Sequence, residues 1–348
     1  MKKFRRIFAL VIGTVFFIAA VFKLIDPVGT SLIVRGYYNF LGISFLDFSS
    51  RVAGVALGLL EAVVGAALIT GVWRRQTAIA SGVMTAAFTV ITFVLWVSDT
   101  EMECGCFGEA IHLTQFQTFL KNIALCVLWV LAFVPLSSLE KPRKVKYATF
   151  ALVCLSVGVL TFFSLVGLPL RDYTPFAPGA ILYEAAEEDF ENAPVLSLSD
   201  AEGNYHDEEA IAPRVMAVSV YYPERLSRKA WDDIFAFADN AAAEGFSPVV
   251  LVSGTPERMA GILGGRVSRV RYGDWKSVIT LNRSNGGVTY LASGKVIRKW
   301  AAVRRPSPDT LKSVMKKDPT DVMADGTSRG QVFLQAFLLY VFAVMLLI

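Results

Sequence analysis

Hydrophobic positions in this chain gather into long unbroken runs rather than alternating with polar ones. Ile7 to Leu24, Val52 to Trp73, Ala78 to Val97, Phe119 to Leu136 and Tyr147 to Leu168 are each near the length that crosses about 30 Å of hydrocarbon at about 1.5 Å per residue. A sixth run, Val332 to Ile348, ends the chain. The pattern predicts six membrane helices. Lys2, Lys3, Arg5 and Arg6 precede the first run as they would in a secretory signal, but its length and the similar runs that follow predict a retained helix. Val28 to Ser50 reads as a loop rich in aromatics (Tyr37, Tyr38, Phe40, Phe45 and Phe48), rings suited to the lipid–water interface.

From Arg171 to Gly330 the pattern changes to that of a mixed domain. Pro194 to Asp207 predicts a hairpin, with Val195, Leu196 and Leu198 entering it and Asp200 to Asn204 turning it. Val215 to Tyr222 reads as a buried strand and Pro248 to Val252 as another. Between them Ser227 to Glu244 is a helix with Trp231, Ile234, Phe235 and Phe237 on its apolar side. Strand, helix, strand predicts a parallel crossover. Val278 to Leu281 starts a further unit, Gly287 to Leu291 and Val296 to Trp300 form a last hairpin around Ser293-Gly294, and Pro308 to Met315 is a closing helix. The fold class expected is an α-helical membrane protein carrying an α/β domain, its elements in the order found in thioredoxins.

Composition agrees with a membrane protein: 54% of the 348 residues are hydrophobic and the mean hydropathy is +0.50. The net charge of +4 sits at the ends of the apolar runs and makes no face that tracks a phosphate backbone, so nucleic acid is excluded as a partner. Four cysteines and two histidines, none at zinc-finger or iron–sulfur spacing, predict no metal site. Positive charge in short loops marks the cytoplasmic side. The N-terminus, Arg74-Arg75 and the segment with Lys141, Arg143, Lys144 and Lys146 alternate correctly for that side. The expectation is a multi-pass protein of a bacterial inner membrane with both termini cytoplasmic and residues 171–318 periplasmic.

The candidate chemistry lies in the turn after the third run. Cys104 and Cys106, one residue apart, suit a tight disulfide of the labile kind that exchanges, although the same pair also serves to pin a loop. Glu101, Glu103 and Glu109 around it are expected to raise the thiol pKa. Cys126 and Cys154 fall inside helices, where a small apolar residue is the ordinary explanation. Glu61, midway along the second run, is costly in hydrocarbon and calls for a partner, a proton path or a ligand. Lys23 would reach it if the two helices are neighbours, and otherwise snorkels to the interface.

Phe22-Lys23-Leu24-Ile25-Asp26-Pro27 ending the first run, Leu60-Glu61 in the second and Cys104-Gly105-Cys106-Phe107-Gly108 after the third together resemble the DoxX/MauE family of four-helix membrane proteins, over residues 5 to 137. The resemblance implies thiol redox chemistry: disulfide formation in exported proteins, beside a thioredoxin-like partner, with a quinone as candidate acceptor near Glu61 and Lys23. No cofactor is evident in the sequence itself. Leu196 to Asp200 with Gly203-Asn204, and Gly287 to Trp300, are similar to the first and last hairpins of thioredoxin-like domains, as if that partner had been fused. This domain departs from the pattern. Tyr222-Pro223-Glu224-Arg225 stands where Cys-X-X-Cys would be, and Asn285-Gly286-Gly287 replaces the cis-proline, so it is expected not to exchange disulfides. Tyr222, Pro223, Glu224, Arg225 and Trp275 then become a candidate surface for a partner, since function belongs to the site and not to the fold.

The expected division is 1–137 for the four-helix core, 138–170 for a basic loop and fifth helix, 171–318 for the outer domain, and 319–348 for a linker and sixth helix. Two functions follow. One is a thiol–disulfide redox protein acting on exported proteins through Cys104 and Cys106. The other is a non-catalytic subunit of an envelope complex, with membrane lipid and other membrane subunits as its surroundings and the outer domain as its docking surface.

Overall fold

The computed structural model describes residues 2–98, 102, 104–136, 144–183 and 193–347. Glu101, Glu103, Lys141 and Arg143 lie outside the described residues. The chain forms two compact units, Met1–Leu165 with Phe333–Ile348, and Val166–Val332.

The first unit is helical: α1 (Lys2–Ile25), α2 (Pro27–Phe40), α3 (Ser50–Thr70), α4 (Arg74–Val97), a short strand β1 (Cys106–Glu109), α5 (Gln115–Phe133) and α6 (Val145–Val166). Among the described residues five segments are long and apolar enough to cross a membrane: Phe4–Ile25, Ser44–Thr70, Arg74–Val97, Gln115–Phe133 and Val145–Val166. The apolar part of the last helix, Val332–Met345, is shorter.

Small residues let α1 and α3 meet backbone to backbone. A Cβ added at Gly65 would stand 2.7 Å from the Phe17 amide nitrogen and 2.9 Å from the Gly13 carbonyl. Arg6 donates to the Leu68 and Ile69 carbonyls at the end of α3, and Arg5 donates to the Ala132 carbonyl at the end of α5, 2.9 Å away. Cations thus satisfy carbonyls that the last helical turns leave without partners. These contacts gather the start of α1 and the ends of α3 and α5 at one end of the bundle.

The stretch from Val28 to Ser50 is not a loop. It forms α2 and a 3-10 turn, Ser44–Ser49. Asp26 caps α2 by accepting from the Gly29 amide at 2.9 Å, and Pro27 occupies the first turn, where its missing N–H costs nothing. Other boundaries move by a few residues. Gly71, at φ 80°, ends α3, so Arg74 and Arg75 open α4 instead of closing α3. A reciprocal pair of bonds between Thr114 and Gln117 starts α5 at Gln115.

The second unit is built on a mixed sheet. β2 (Val215–Val220), α7 (Arg228–Ala243) and β3 (Ser247–Val252) form the expected parallel crossover, with β2 and β3 in register from Val215 opposite Ser247 to Val220 opposite Val252. α8 (Pro256–Leu263), β4 (Arg271–Tyr272) and α9 (Trp275–Leu281) follow, then the hairpin β5 (Gly287–Ala292) and β6 (Lys295–Trp300), α10 (Pro308–Lys316) and the first part of α11 (Pro319–Leu347), whose residues from Phe333 onward belong to the first unit. The sheet order is β4-β3-β2-β5-β6, with β5 antiparallel to both neighbours. Trp231, Ile234, Phe235, Ala238 and Ala241 fall on one side of α7 at helical spacing and pack with Val218, Val220, Val250 and Tyr290 of the sheet.

The hairpin expected over Pro194 to Asp207 is present only in minimal form: an antiparallel bridge joins Ser199 to Tyr205, the His206 amide donates to the Leu198 carbonyl and the Asp200 amide to the Asn204 carbonyl. Ser199 also bridges Tyr272 of β4, and the Asp200 carboxylate accepts the Glu202 and Asn204 amides within the turn. Val278 to Leu281 lies in α9, which Asp274 caps by accepting from the Ser277 amide at 2.8 Å.

Candidate functional site

The Cys104 to Gly108 turn sits on the end of α1 and on α2. Gly105 takes φ +61°, and a Cβ there would collide with the Ile33 side chain of α2, so both backbone sign and space demand glycine. Gly108, at φ +59°, lies against the Phe22 carbonyl. The Tyr37 hydroxyl donates to the Cys104 carbonyl at 2.6 Å. Held this way, the Cys104 and Cys106 sulfurs lie 2.7 Å apart. Cys104 is buried and Cys106 half-buried.

Lys23, in the last turn of α1, does not snorkel. Its ammonium donates to both Glu61 oxygens of α3, at 2.6 and 2.7 Å, with the two residues 6% and 2% exposed. A buried pair of this kind is tolerable only with close, two-point geometry. The Phe88 ring lies 5.8 Å from the same ammonium. Asn122 of α5 donates to the Phe88 carbonyl and to the Thr92 hydroxyl, which ties α5 to α4 behind the pair.

Cysteines and ion pair share one cavity of about 500 Å³ within the helical unit. Its walls are mostly apolar, from residues such as Phe16, Leu57 and Leu125. Lys23, Glu61, Cys104, Cys106, Tyr37 and Lys121 break that surface. The structure therefore brings together all four membrane-side residues singled out in the sequence. It adds Lys121, which the sequence reading passed over as part of the fourth apolar run. The available signal was the Lys121-Asn122 step inside that run, since an ionisable residue at membrane depth asks for a partner.

The thiols are unequal. The Cys106 thiol, hydrogen-bonded to Cys104, lowers the Cys104 pKa to about 6 despite burial, and the neighbouring Thr118 hydroxyl and the Lys121 charge act in the same direction. The same contact, together with burial, pushes Cys106 well up. Cys104 thus moves opposite to the upward shift expected for these thiols, chiefly because of its hydrogen bond with Cys106.

In the second unit the turn after β2 brings the other singled-out residues together. Pro223–Arg225 is a 3-10 turn; the Arg225 guanidinium lies 4.0 Å from the Tyr222 ring centre, and the Tyr222 and Trp275 rings are 6.1 Å apart. Glu224 reaches Arg258 at 3.7 Å. Asn285 fastens this turn: its side-chain oxygen accepts the Tyr221 and Tyr222 amides at 2.9 and 3.0 Å, and its nitrogen donates to the Tyr222 carbonyl at 3.0 Å. The described residues hold no cluster of three or more metal-ligating side chains.

No curated protein and no solved structure matches the chain. The helical unit has a relative at the level of families: residues 1–135, which carry both thiols, the ion pair and Lys121, match the family model described as Methylamine utilisation protein MauE.

Proposed function

We propose that the helical unit is a membrane thiol–disulfide redox module in which Cys104 and Cys106 cycle between dithiol and disulfide and pass oxidising equivalents to exported proteins. One observation carries this reading: two sulfurs 2.7 Å apart stand at an apolar cavity that also holds a buried Lys23–Glu61 pair. A pair that only pinned a loop would need neither a cavity nor an intramembrane charge pair beside it. A quinone fits this cavity in kind. Phe16, Phe88 and Leu125 offer apolar surface to a flat ring, Lys23 and Lys121 offer donors to its oxygens, and the bound ring would accept two electrons and two protons. Within that frame, Glu61 holds a proton-bearing cation in place, and Tyr37 and Gly105 fix the turn that carries the thiols.

The second unit is proposed as a degenerate thioredoxin-like domain on the periplasmic side of a bacterial inner membrane, both chain termini being cytoplasmic. The order β3-β2-β5-β6, with an antiparallel final hairpin, supports that reading. Asn285 closes the turn where a redox pair would sit, which favours Tyr222, Pro223, Glu224, Arg225 and Trp275 as a surface that binds a partner without exchanging electrons with it.

The test is the redox state of Cys104 and Cys106 in native membranes, followed by differential alkylation and mass spectrometry through a pulse of mild reductant. A pair that cycles and can be trapped in a mixed disulfide with another protein supports the module. A pair that stays reduced, or stays oxidised and inert, refutes it. If the Cys104→Ser, Cys106→Ser double variant keeps its physiological activity, the protein is instead a structural subunit of an envelope complex.

A further inference from the structure

The two sulfurs differ in position as well as in proton affinity. Cys104 is 5% exposed, its carbonyl is held by Tyr37 and its neighbour Gly105 is wedged on Ile33; Cys106 is half-buried. Lys121 of α5 lines the same cavity as both, with its ammonium 4.9 Å from the centre of the Phe107 ring, the residue next to Cys106. A cation docked on a ring face is held in position by the ring.

Resting on the redox reading above, we infer that Cys106 is the sulfur a partner thiolate attacks, that Cys104 is the sulfur that leaves, and that Lys121 is the positioning residue whose charge stabilises the Cys104 thiolate. In the step so defined, a partner thiolate forms a bond to the Cys106 sulfur while the Cys104–Cys106 bond breaks, and its electron pair remains on Cys104. A second thiolate of the partner then attacks the partner sulfur of the mixed disulfide and expels Cys106, which takes up a proton. The partner dithiol is oxidised to a disulfide, and the Cys104–Cys106 disulfide is reduced. No further oxidant enters this half of the cycle.

Three physical arguments converge on this assignment. Exchange follows access, and Cys106 is the less buried residue of the two. The sulfur with the more stable thiolate leaves faster, and Cys104 is the thiol held low while Cys106 is pushed up, although the Lys121 charge reaches both. The leaving sulfur belongs to the more buried of the two residues, so electrons arrive on the cysteine that is further from solvent, in the cavity that both line. The other ionisable groups of that cavity are Lys23 from α1, Tyr37 and Tyr38 from α2 and Glu61 from α3, with the Tyr38 hydroxyl paired to the Ser49 hydroxyl. Lys23 and Glu61 neutralise each other, and Tyr37 donates its proton to a carbonyl. Lys121 is therefore the cation whose removal changes the charge seen by the leaving thiolate.

The experiment uses the full chain, oxidised, in phospholipid nanodiscs, with glutathione as the attacking thiol, rapid quenching by N-ethylmaleimide and peptide mapping. Glutathione is expected on Cys106 with maleimide on Cys104, in excess over the reverse pattern by about tenfold or more. Glutathione equally on both sulfurs, or mainly on Cys104, overturns the division of roles. Lys121→Met is expected to raise the glutathione concentration needed for half reduction about three- to tenfold and to move the pH profile of Cys104 alkylation upward, while Lys121→Arg restores both. If Lys121→Met, folded by its thermal transition, leaves both readouts unchanged, the role of Lys121 is refuted while the redox reading stands. If glutathione reduces neither protein at concentrations that reduce ordinary exposed disulfides, the redox reading itself fails.

Discussion

Removing one member of the Lys23–Glu61 pair is the sharpest perturbation the helical unit offers. The ammonium meets both carboxylate oxygens at 2.6 and 2.7 Å, with side chains 7% and 3% exposed. At an effective dielectric of about 20, Coulomb's law gives about 6 kcal/mol for unit charges at such a separation, and desolvation of each ion opposes it. What remains visible on deleting one partner of a buried pair is about 3–5 kcal/mol, because the other charge is left uncompensated. Replacing both by apolar residues of similar size leaves no orphan charge and is expected to cost less than either single change. The assay is reversible unfolding of the full chain in mixed micelles titrated with SDS, for Lys23→Met, Glu61→Leu and the double variant. The expected result is two costly single variants and a double variant recovering at least about 2 kcal/mol of coupling. Additive single costs would refute the reasoning, since they would mean that the two groups do not interact.

Four further outcomes are expected. Iodoacetamide labelling of reduced Cys104 should rise with pH through a midpoint of about 6, because the thiolate is the reacting form above its pKa, while Cys106 stays unlabelled until far higher pH; equal midpoints would contradict the inequality of the thiols. Gly105→Ala should cost at least about 1–2 kcal/mol from its left-handed backbone alone and more from the collision with Ile33. Adding Ile33→Ala should recover the second part and not the first, as read by the same unfolding titration. Asp172 lies 2.5 Å from the Lys299 ammonium; burial pushes its pKa up, and Lys299 with Thr174 outweighs burial and holds it below the usual carboxylate range. Its contribution is therefore complete above about pH 3.9 and lost as pH falls through the lower folded value, so Asp172→Asn should destabilise the second unit at pH 7 and much less near pH 2. Asn285→Ala should leave the Tyr221 and Tyr222 amides without their acceptor and cost about 1–3 kcal/mol in thermal unfolding, with faster amide exchange confined to the turn after β2.

Much of this architecture could be read from residue patterns, and the exceptions have physical causes. Five membrane-spanning segments were legible because a run of that length has no other stable environment. The β2–α7–β3 crossover was legible because its apolar positions switch cleanly from strand to helix spacing. α2 was missed although Asp26-Pro27 is a plain start signal, because its aromatic half resembles an interfacial loop. The turn within Pro194 to Asp207 was legible from Asp200 and Gly203-Asn204, but its arms pair only around Ser199 and Tyr205, too briefly to make strands. Cys104, Cys106, Glu61 and Lys23 each stood out as residue types unusual for their surroundings. Their meeting at one cavity did not, since elements separated by up to 83 residues of chain, Lys23 to Cys106, have to pack before it exists. Lys121 escaped for the same reason: its meaning comes from Phe107 and the thiols across space.

The two N-terminal arginines carry a consequence for how the bundle is made. Arg6 meets the Leu68 carbonyl 62 residues downstream, and Arg5 meets the Ala132 carbonyl 127 residues downstream. During synthesis neither acceptor exists when the first helix enters the bilayer. The arginines must therefore wait, solvated or against lipid phosphates, until α3 and then α5 arrive. Their contacts close in a set order, Arg6 first and Arg5 last, and the second closure is possible only after the thiol turn has left the ribosome.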